Sequence, residues 1–93
     1  MSREQIEQDP SLSPLAKLVL EYLSRQPPRV FTARDLAHAL CAPAARIAED
    51  SMMLRTRGLL ERTVDGRALP LAELHISNVA REAYSPARKK TAA

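Results

Sequence analysis

The residue types that could hold a metal or carry out catalysis are few and scattered along this sequence of 93 residues. His38, Cys41 and His75 could each ligate zinc, but they lack the four-ligand spacing of a known zinc site. The serines lie in no Gly-x-Ser-x-Gly context, and two glycines are too few for a phosphate-binding loop. We therefore expect no enzymatic activity, no cofactor and no metal.

Cationic side chains are more numerous than these candidate metal ligands. Lys and Arg number 14 against 11 Asp and Glu, which gives a net charge of +3. This modest excess is compatible with a polyanionic partner without requiring one. No apolar run approaches the roughly 18 residues of a membrane span, and the N-terminus lacks the apolar stretch of a signal peptide. With a lone cysteine, the sequence predicts a reduced, cytoplasmic protein.

The first predicted helix follows a polar segment. Residues 1–11 are polar, and we expect a flexible N-terminal arm there. Ser13 suits a helix N-cap and Pro14 the first helical position, so a helix is predicted from Pro14 to about Arg25. Its apolar residues recur at the spacing of one helical face: Leu15, Leu18, Val19, Tyr22 and Leu23.

Two further helices are predicted close together after a short strand at Val30-Phe31. Thr32 and Asp35 form a T-x-x-D pattern that resembles a capping box and indicates the start of the second helix. A tight connection follows, in which we expect Cys41 to be buried as a small hydrophobe. The third helix is predicted over residues 43–57, before Gly58.

A hairpin and a last helix complete the predicted order. Asp65-Gly66 between two short extended runs predicts a β-hairpin. A fourth helix is predicted over residues 71–84. Alternatively, Ser77 caps a shorter helix from Asn78, and the preceding residues are partly extended. Residues 85–93 are predicted to form a basic, disordered tail, which leaves 12–84 as the folded domain.

This order of elements resembles the winged helix-turn-helix domain of bacterial and phage transcriptional regulators. In that family the recognition helix has a branched aliphatic residue, apolar positions four and seven later, and glycine eleven later. Leu-Leu or Leu-Val, an acidic residue and arginine then follow. The matching residues here are Ile47, Ser51, Leu54, Gly58 and Leu59-Leu60-Glu61-Arg62. Only Ser51 departs from this family pattern, since leucine is usual at that position. We expect Met52 or Met53 to fill the space that leucine would occupy. The resemblance implies a mainly α fold with a small β-hairpin wing.

On this resemblance, helix 43–57 lies in the major groove and a wing at 60–69 contacts the DNA backbone. Arg46 is the best candidate base reader, because a guanidinium can bond guanine O6 and N7 together. Arg34 at the start of the second helix is expected to hold a phosphate, and Arg62 and Arg67 beside the hairpin tip are expected to reach phosphates or the minor groove. The predicted DNA-binding residues are Arg34, Ala45, Arg46, Glu49, Met53, Arg57, Arg62 and Arg67.

Two carboxylates on the predicted outward face argue against DNA. Glu49 and Asp50 would repel phosphates, and on a solvated face they would pair with nearby arginines, namely Arg46, Arg55 and Arg57. The alternative function is therefore a winged helix that docks protein without binding DNA, and a third is a ligand-responsive or antagonist protein. Expected partners are double-stranded DNA, a protein partner, or a second copy paired through the outer surfaces of the first and fourth helices.

Overall fold

The computed structural model describes residues 2–84, which form a mainly α fold with a small β-hairpin, as the sequence predicted. The helices are α1 (Arg3–Glu7), α2 (Pro14–Arg25), α3 (Ala33–Leu40), α4 (Ala44–Thr56) and α5 (Asn78–Ala83). The strands are β1 (Phe31–Thr32), β2 (Thr63–Val64), β3 (Arg67–Ala68) and β4 (Glu73–Leu74). None of these helices is long and apolar enough to cross a membrane. The predicted basic tail at 85–93 lies outside the described residues.

The N-terminal segment is helical and packed, so the prediction of a loose arm over residues 1–11 is wrong for the part that forms α1. Ile6 of α1 is only 1% exposed and belongs to the hydrophobic core. Arg3 ties α1 to the rest of the molecule by an ion pair with Glu21 and by a cation–π contact with the Tyr84 ring, and it also pairs with Glu7 within α1. One apolar side chain and one arginine with several contacts thus help to hold a segment whose composition is polar.

The predicted helix starts at Ser13 and Thr32 are confirmed. The Ser13 side chain accepts a hydrogen bond from the Ala16 backbone N–H, and α2 begins at Pro14. Thr32 and Asp35 form a capping box in which each side chain accepts from the other's backbone N–H. These bonds satisfy N–H groups that have no partner within the helix.

The connection between α3 and α4 differs from the prediction in one respect. Cys41 is exposed rather than buried, and it adopts the left-handed conformation at φ 53° as the C-cap of α3. Its backbone N–H donates to the Ala37 carbonyl. The helix ends through this left-handed residue, and in that conformation the Cys41 side chain lies in solvent. Pro43 then precedes α4 without a side-chain cap, and α4 ends at Thr56 before Gly58 at φ 74°.

The Asp-Gly hairpin is confirmed. Thr63 pairs with Ala68 and Val64 with Arg67 in an antiparallel register. Asp65 and Gly66 have φ angles of 54° and 76°, the two positive values that a type I′ turn requires.

A second small sheet contradicts the prediction of one long helix over 71–84. β4 pairs with β1, and its continuation pairs with the start of the hairpin, since Ile76 forms a bridge to Leu60. The chain becomes helical only after Ser77, whose side chain accepts from the Ala80 N–H. The shorter helix that the sequence offered as an alternative is therefore correct. The backbone groups of residues 73–76 pair with β1 and with Leu60, so they are not available for a helix.

The core lies where α2 packs on α4 and α5 and where α3 packs on α4. Its fully buried large side chains come from α1, all three long helices, the hairpin base and β4: Ile6, Val19, Leu20, Leu23, Leu36, Ile47, Leu54, Leu59, Leu60 and Leu74. Ile47 and Leu54 hold the inner face of α4, so the opposite face of that helix points to solvent.

Candidate nucleic-acid interface

The outward face of α4 is open to solvent and lies beside the hairpin. Four of its predicted DNA-binding residues are exposed, namely Ala45, Arg46, Glu49 and Met53. Thr56 is also exposed, and Met52, which the prediction omitted, is 57% exposed. Successive exposed positions at 45, 49, 52 and 56 follow helical spacing, so they form one continuous strip along the helix.

Two residues predicted on this face turn toward the N-terminal segment instead. Asp50 is half-buried, and its Oδ2 accepts a hydrogen bond from the Ser13 hydroxyl at 2.9 Å. Arg57 Nη1 lies 2.8 Å from Asp9 Oδ2, and Nη2 donates to the Ser11 hydroxyl. The face therefore presents one carboxylate rather than two, and the predicted contact of Arg57 with DNA would require Arg57 to leave Asp9 and Ser11.

The predicted ion pairs along α4 do not form among residues 2–84. Among the described residues, the one ion pair that involves an arginine of the α4 region joins Arg57 to Asp9, and exposed Arg46 and Glu49 form no ion pair there. The reason is geometric, because Asp50 and Arg57 both find partners on the segment that crosses the edge of α4.

Ser51 occupies the buried position at which the family resemblance implied leucine. It is fully buried, whereas Met52 and Met53 are both exposed, so the expectation that a methionine fills this space is wrong. Ser51 Oγ donates to the Ala48 carbonyl at 2.7 Å and lies 3.3 Å from the Leu71 carbonyl. A small side chain at 51 therefore admits the backbone of the segment that follows the hairpin.

The two hairpin arginines differ in their partners. Arg67 Nη2 lies 3.2 Å from Glu73 Oε1 in an exposed ion pair. Arg62 is exposed, and its side chain makes no ion pair or hydrogen bond with the described part of the chain. Of the two, Arg62 is thus the arginine that is free to meet an anion without breaking an existing contact.

Arg34 resembles Arg62 and Arg46 in this respect. It is the second residue of α3, it is exposed, and its guanidinium has no partner within residues 2–84. Asp35 beside it is engaged in the capping box with Thr32, whose hydrogen bonds hold the pKa of this carboxyl below its ordinary value. Three arginines on α3, on α4 and beside the hairpin therefore lack partners within the part of the chain that the structure describes.

Arg55 is a residue that the sequence reasoning placed among solvated pairs and that the structure places at a packed junction. Its Nη2 donates to the Pro70 carbonyl at 2.7 Å and to the Glu73 carbonyl, and its Nε is buried without a partner. Burial lowers the pKa of this guanidinium, and the nearby Glu73 acts in the opposite direction. The only sequence signal was Ser51 one helical turn earlier, a small residue at a position that is usually leucine.

A groove of about 300 Å³ runs between α4 and the hairpin. Its lining residues are Met52, Arg55, Thr56, Arg62, Leu69 and Leu71. The lining thus combines apolar side chains with two guanidinium groups and contains no carboxylate.

His38, Cys41 and His75, which the sequence suggested as possible zinc ligands, do not form a metal site within residues 2–84. His38 and Cys41 are exposed, while His75 Nδ1 lies 3.0 Å from the Ile76 carbonyl oxygen. Within residues 2–84, no group of three or more His, Cys, Asp or Glu side chains lies close enough to hold a metal ion.

No protein family model matches the sequence, and comparisons with curated proteins and with solved structures gave no significant match.

Proposed function

We propose that this chain binds double-stranded DNA as a small, non-enzymatic regulator of the winged helix-turn-helix kind. The exposed face of α4 enters the major groove, and the β2–β3 hairpin lies on the flanking backbone. The order and pairing of elements support this proposal. Only three residues separate α3 from α4, the hairpin follows α4, and β1 joins the segment after the hairpin.

The observation that carries the proposal is the distribution of charge around the open face of α4. Arg46 lies on this face, Arg62 lies in the adjoining groove and Arg34 lies on the preceding helix, all without partners among residues 2–84, while Asp50 points away toward Ser13. Arg46 lies in the first turn of α4, where side chains of a docked helix meet base edges. Glu49, one turn further on, is placed to accept a hydrogen bond from cytosine N4.

Fluorescence anisotropy with a labelled duplex tests this function. Binding to a random duplex is expected to weaken steeply with added salt, because each neutralised phosphate contributes about 0.9 to the logarithmic slope. Arg62→Ala is expected to reduce this slope by about 1 on every sequence. Arg46→Ala is expected to cost about 1–3 kcal/mol on a duplex selected from a randomised pool and to relax the preference at one position.

Arg25→Ala provides the matched control. Arg25 is an exposed arginine at the far end of α2 from Ser13, so its loss changes net charge by the same amount without touching α4. Absence of salt-dependent binding, or equal losses in all three variants, would contradict the proposed interface.

Protein docking is the second candidate function, and one observation favours it. Met52 and Met53 are 57% and 41% exposed at neighbouring positions of α4, and exposed apolar patches mark protein interfaces more than DNA interfaces. Replacing both methionines with glutamine separates the two functions. DNA binding should survive this change within about threefold, because phosphate contacts dominate affinity, whereas a docked protein partner should be lost.

A further inference from the structure

The groove between α4 and the hairpin combines features that a DNA interface does not need. Met52 and Leu71 are two of the exposed large hydrophobic residues, at 57% and 38%, and both line this groove together with Leu69. Exposed apolar side chains gain free energy when a partner removes them from water. Phosphate oxygens do not bury apolar side chains, so the apolar part of the lining points to a ligand with a hydrocarbon part.

Two arginines also line the groove, and none of its lining residues carries a carboxylate. Arg55 and Arg62 both line it, and neither forms an ion pair with residues 2–84. Glu73 lies near Arg55, but its carboxylate is engaged by Arg67. Burial lowers the pKa of Arg55, which reflects the cost of keeping this charge out of water. An anionic group in the groove would offset that cost.

We infer that this groove is a binding site for a small amphipathic carboxylate. The carboxylate lies beside Arg62 and Arg55, and an aliphatic chain lies against Met52, Leu69 and Leu71. Thr56 adds a hydroxyl to the lining, although its Oγ1 already donates to the Met52 carbonyl. This inference does not depend on DNA binding, since it rests on the lining of the groove alone.

The dimensions of the groove set the size of the ligand. A volume of about 300 Å³ lies at the lower end of the range for small-molecule sites. A monocarboxylate with a chain of about eight carbons fits such a space. Each methylene that is fully buried contributes up to about fourfold in affinity, so chain length should matter as much as charge.

Octanoate is the probe, and the methionine methyl groups are the reporters. In protein labelled with ¹³C-methyl methionine, octanoate should shift the Met52 signal saturably. The Met53 signal should move less, because Met53 does not line the groove. Acetate lacks the apolar chain and octanamide lacks the charge, so each should bind at least about tenfold more weakly than octanoate.

Two variants make the result specific to this groove. Arg62→Gln should remove the preference for octanoate over octanamide, and Arg34→Gln, which changes an exposed arginine outside the groove, should retain it. Arg55 is left intact because it holds the segment after the hairpin by two carbonyl contacts. Equal binding of octanoate and octanamide, equal shifts of Met52 and Met53, or no saturable shift would overturn the inference. Tighter binding of a blocked Glu-Leu dipeptide than of octanoate would also overturn it and assign the groove to an acidic protein segment.

Discussion

Asp9 holds Arg57 in an ion pair of 2.8 Å, although 48 residues separate them in the sequence. Ser11 completes the contact, since its hydroxyl donates to Asp9 Oδ1 at 2.6 Å and accepts from Arg57 Nη2. The hydrogen bonds from Ser11 hold the pKa of Asp9 below its ordinary value. The N-terminal segment thus neutralises an arginine at the end of the proposed recognition helix.

We expect Asp9→Asn to strengthen DNA binding. Loss of the carboxylate frees Arg57 for a phosphate, so affinity for a random duplex at low salt should rise about three- to tenfold, and the logarithmic salt slope should steepen by about 0.9. Anisotropy titrations over a series of salt concentrations measure both quantities.

Glu4→Gln is the control for this prediction. Glu4 is exposed on α1 and makes no contact with Arg57, yet the substitution removes the same charge. Equal gains in the two variants would show a general charge effect and would contradict a specific role for Asp9.

A second prediction concerns the packing of Ser51. Ser51→Leu restores the residue type expected from the family resemblance, but Ser51 is fully buried against the Leu71 carbonyl. The larger side chain should therefore lower the free energy of unfolding by about 1–3 kcal/mol through overpacking. Ser51→Ala, which keeps the space, should cost less than about 1 kcal/mol. Urea denaturation measures both, and a leucine variant as stable as the parent would show that the segment after the hairpin does not pack there.

A third prediction concerns the end of α2. Arg81 Nη2 donates to the Gln26 carbonyl at 3.0 Å, and its guanidinium also reaches the Leu23 and Ser24 carbonyls at 3.4 Å. A cation at this position donates to the last carbonyls of the helix and interacts favourably with the negative end of the helix dipole.

Arg81→Gln should therefore lower the free energy of unfolding by about 1–2 kcal/mol. Arg25→Ala, which loses only an exposed ion pair with Glu21, should cost less than about 0.5 kcal/mol. Thermal or urea denaturation of the two variants gives the comparison. If the two losses are equal, the carbonyl contacts of Arg81 add nothing to stability.

The parts of the fold that the sequence predicted well are those specified by local chemistry. Ser13 and Thr32 cap their helices because a hydroxyl accepts from an N–H three residues away. Asp65-Gly66 forms its turn because both residues tolerate positive φ. In each case the residues that decide the structure are neighbours, so spacing alone reveals them.

The features that the sequence did not predict depend on partners far along the chain. Ile6 is buried because α1 reaches the core, and Asp50 leaves the outward face because the Ser13 hydroxyl donates a hydrogen bond to it. The segment after the hairpin is extended because β1 pairs with it across about forty residues of sequence. Periodicity within one helix cannot reveal which edge of that helix another segment will cover, so the exposed set on α4 was only partly predicted.

The capping box of α3 gives a prediction for pH dependence. Hydrogen bonds from Thr32 hold the folded-state pKa of Asp35 below the ordinary value of 3.8. A lowered pKa means that the ionised carboxyl stabilises the fold above the unfolded-state value, and this contribution is lost as the pH falls through the folded-state value. Asp35→Asn should therefore lower the free energy of unfolding near neutral pH. It should also reduce the loss of that free energy as the pH falls below 3.8. Urea titrations at about pH 6 and about pH 3 measure this change, and a constant difference between parent and variant at both values would show that the charge of Asp35 does not contribute.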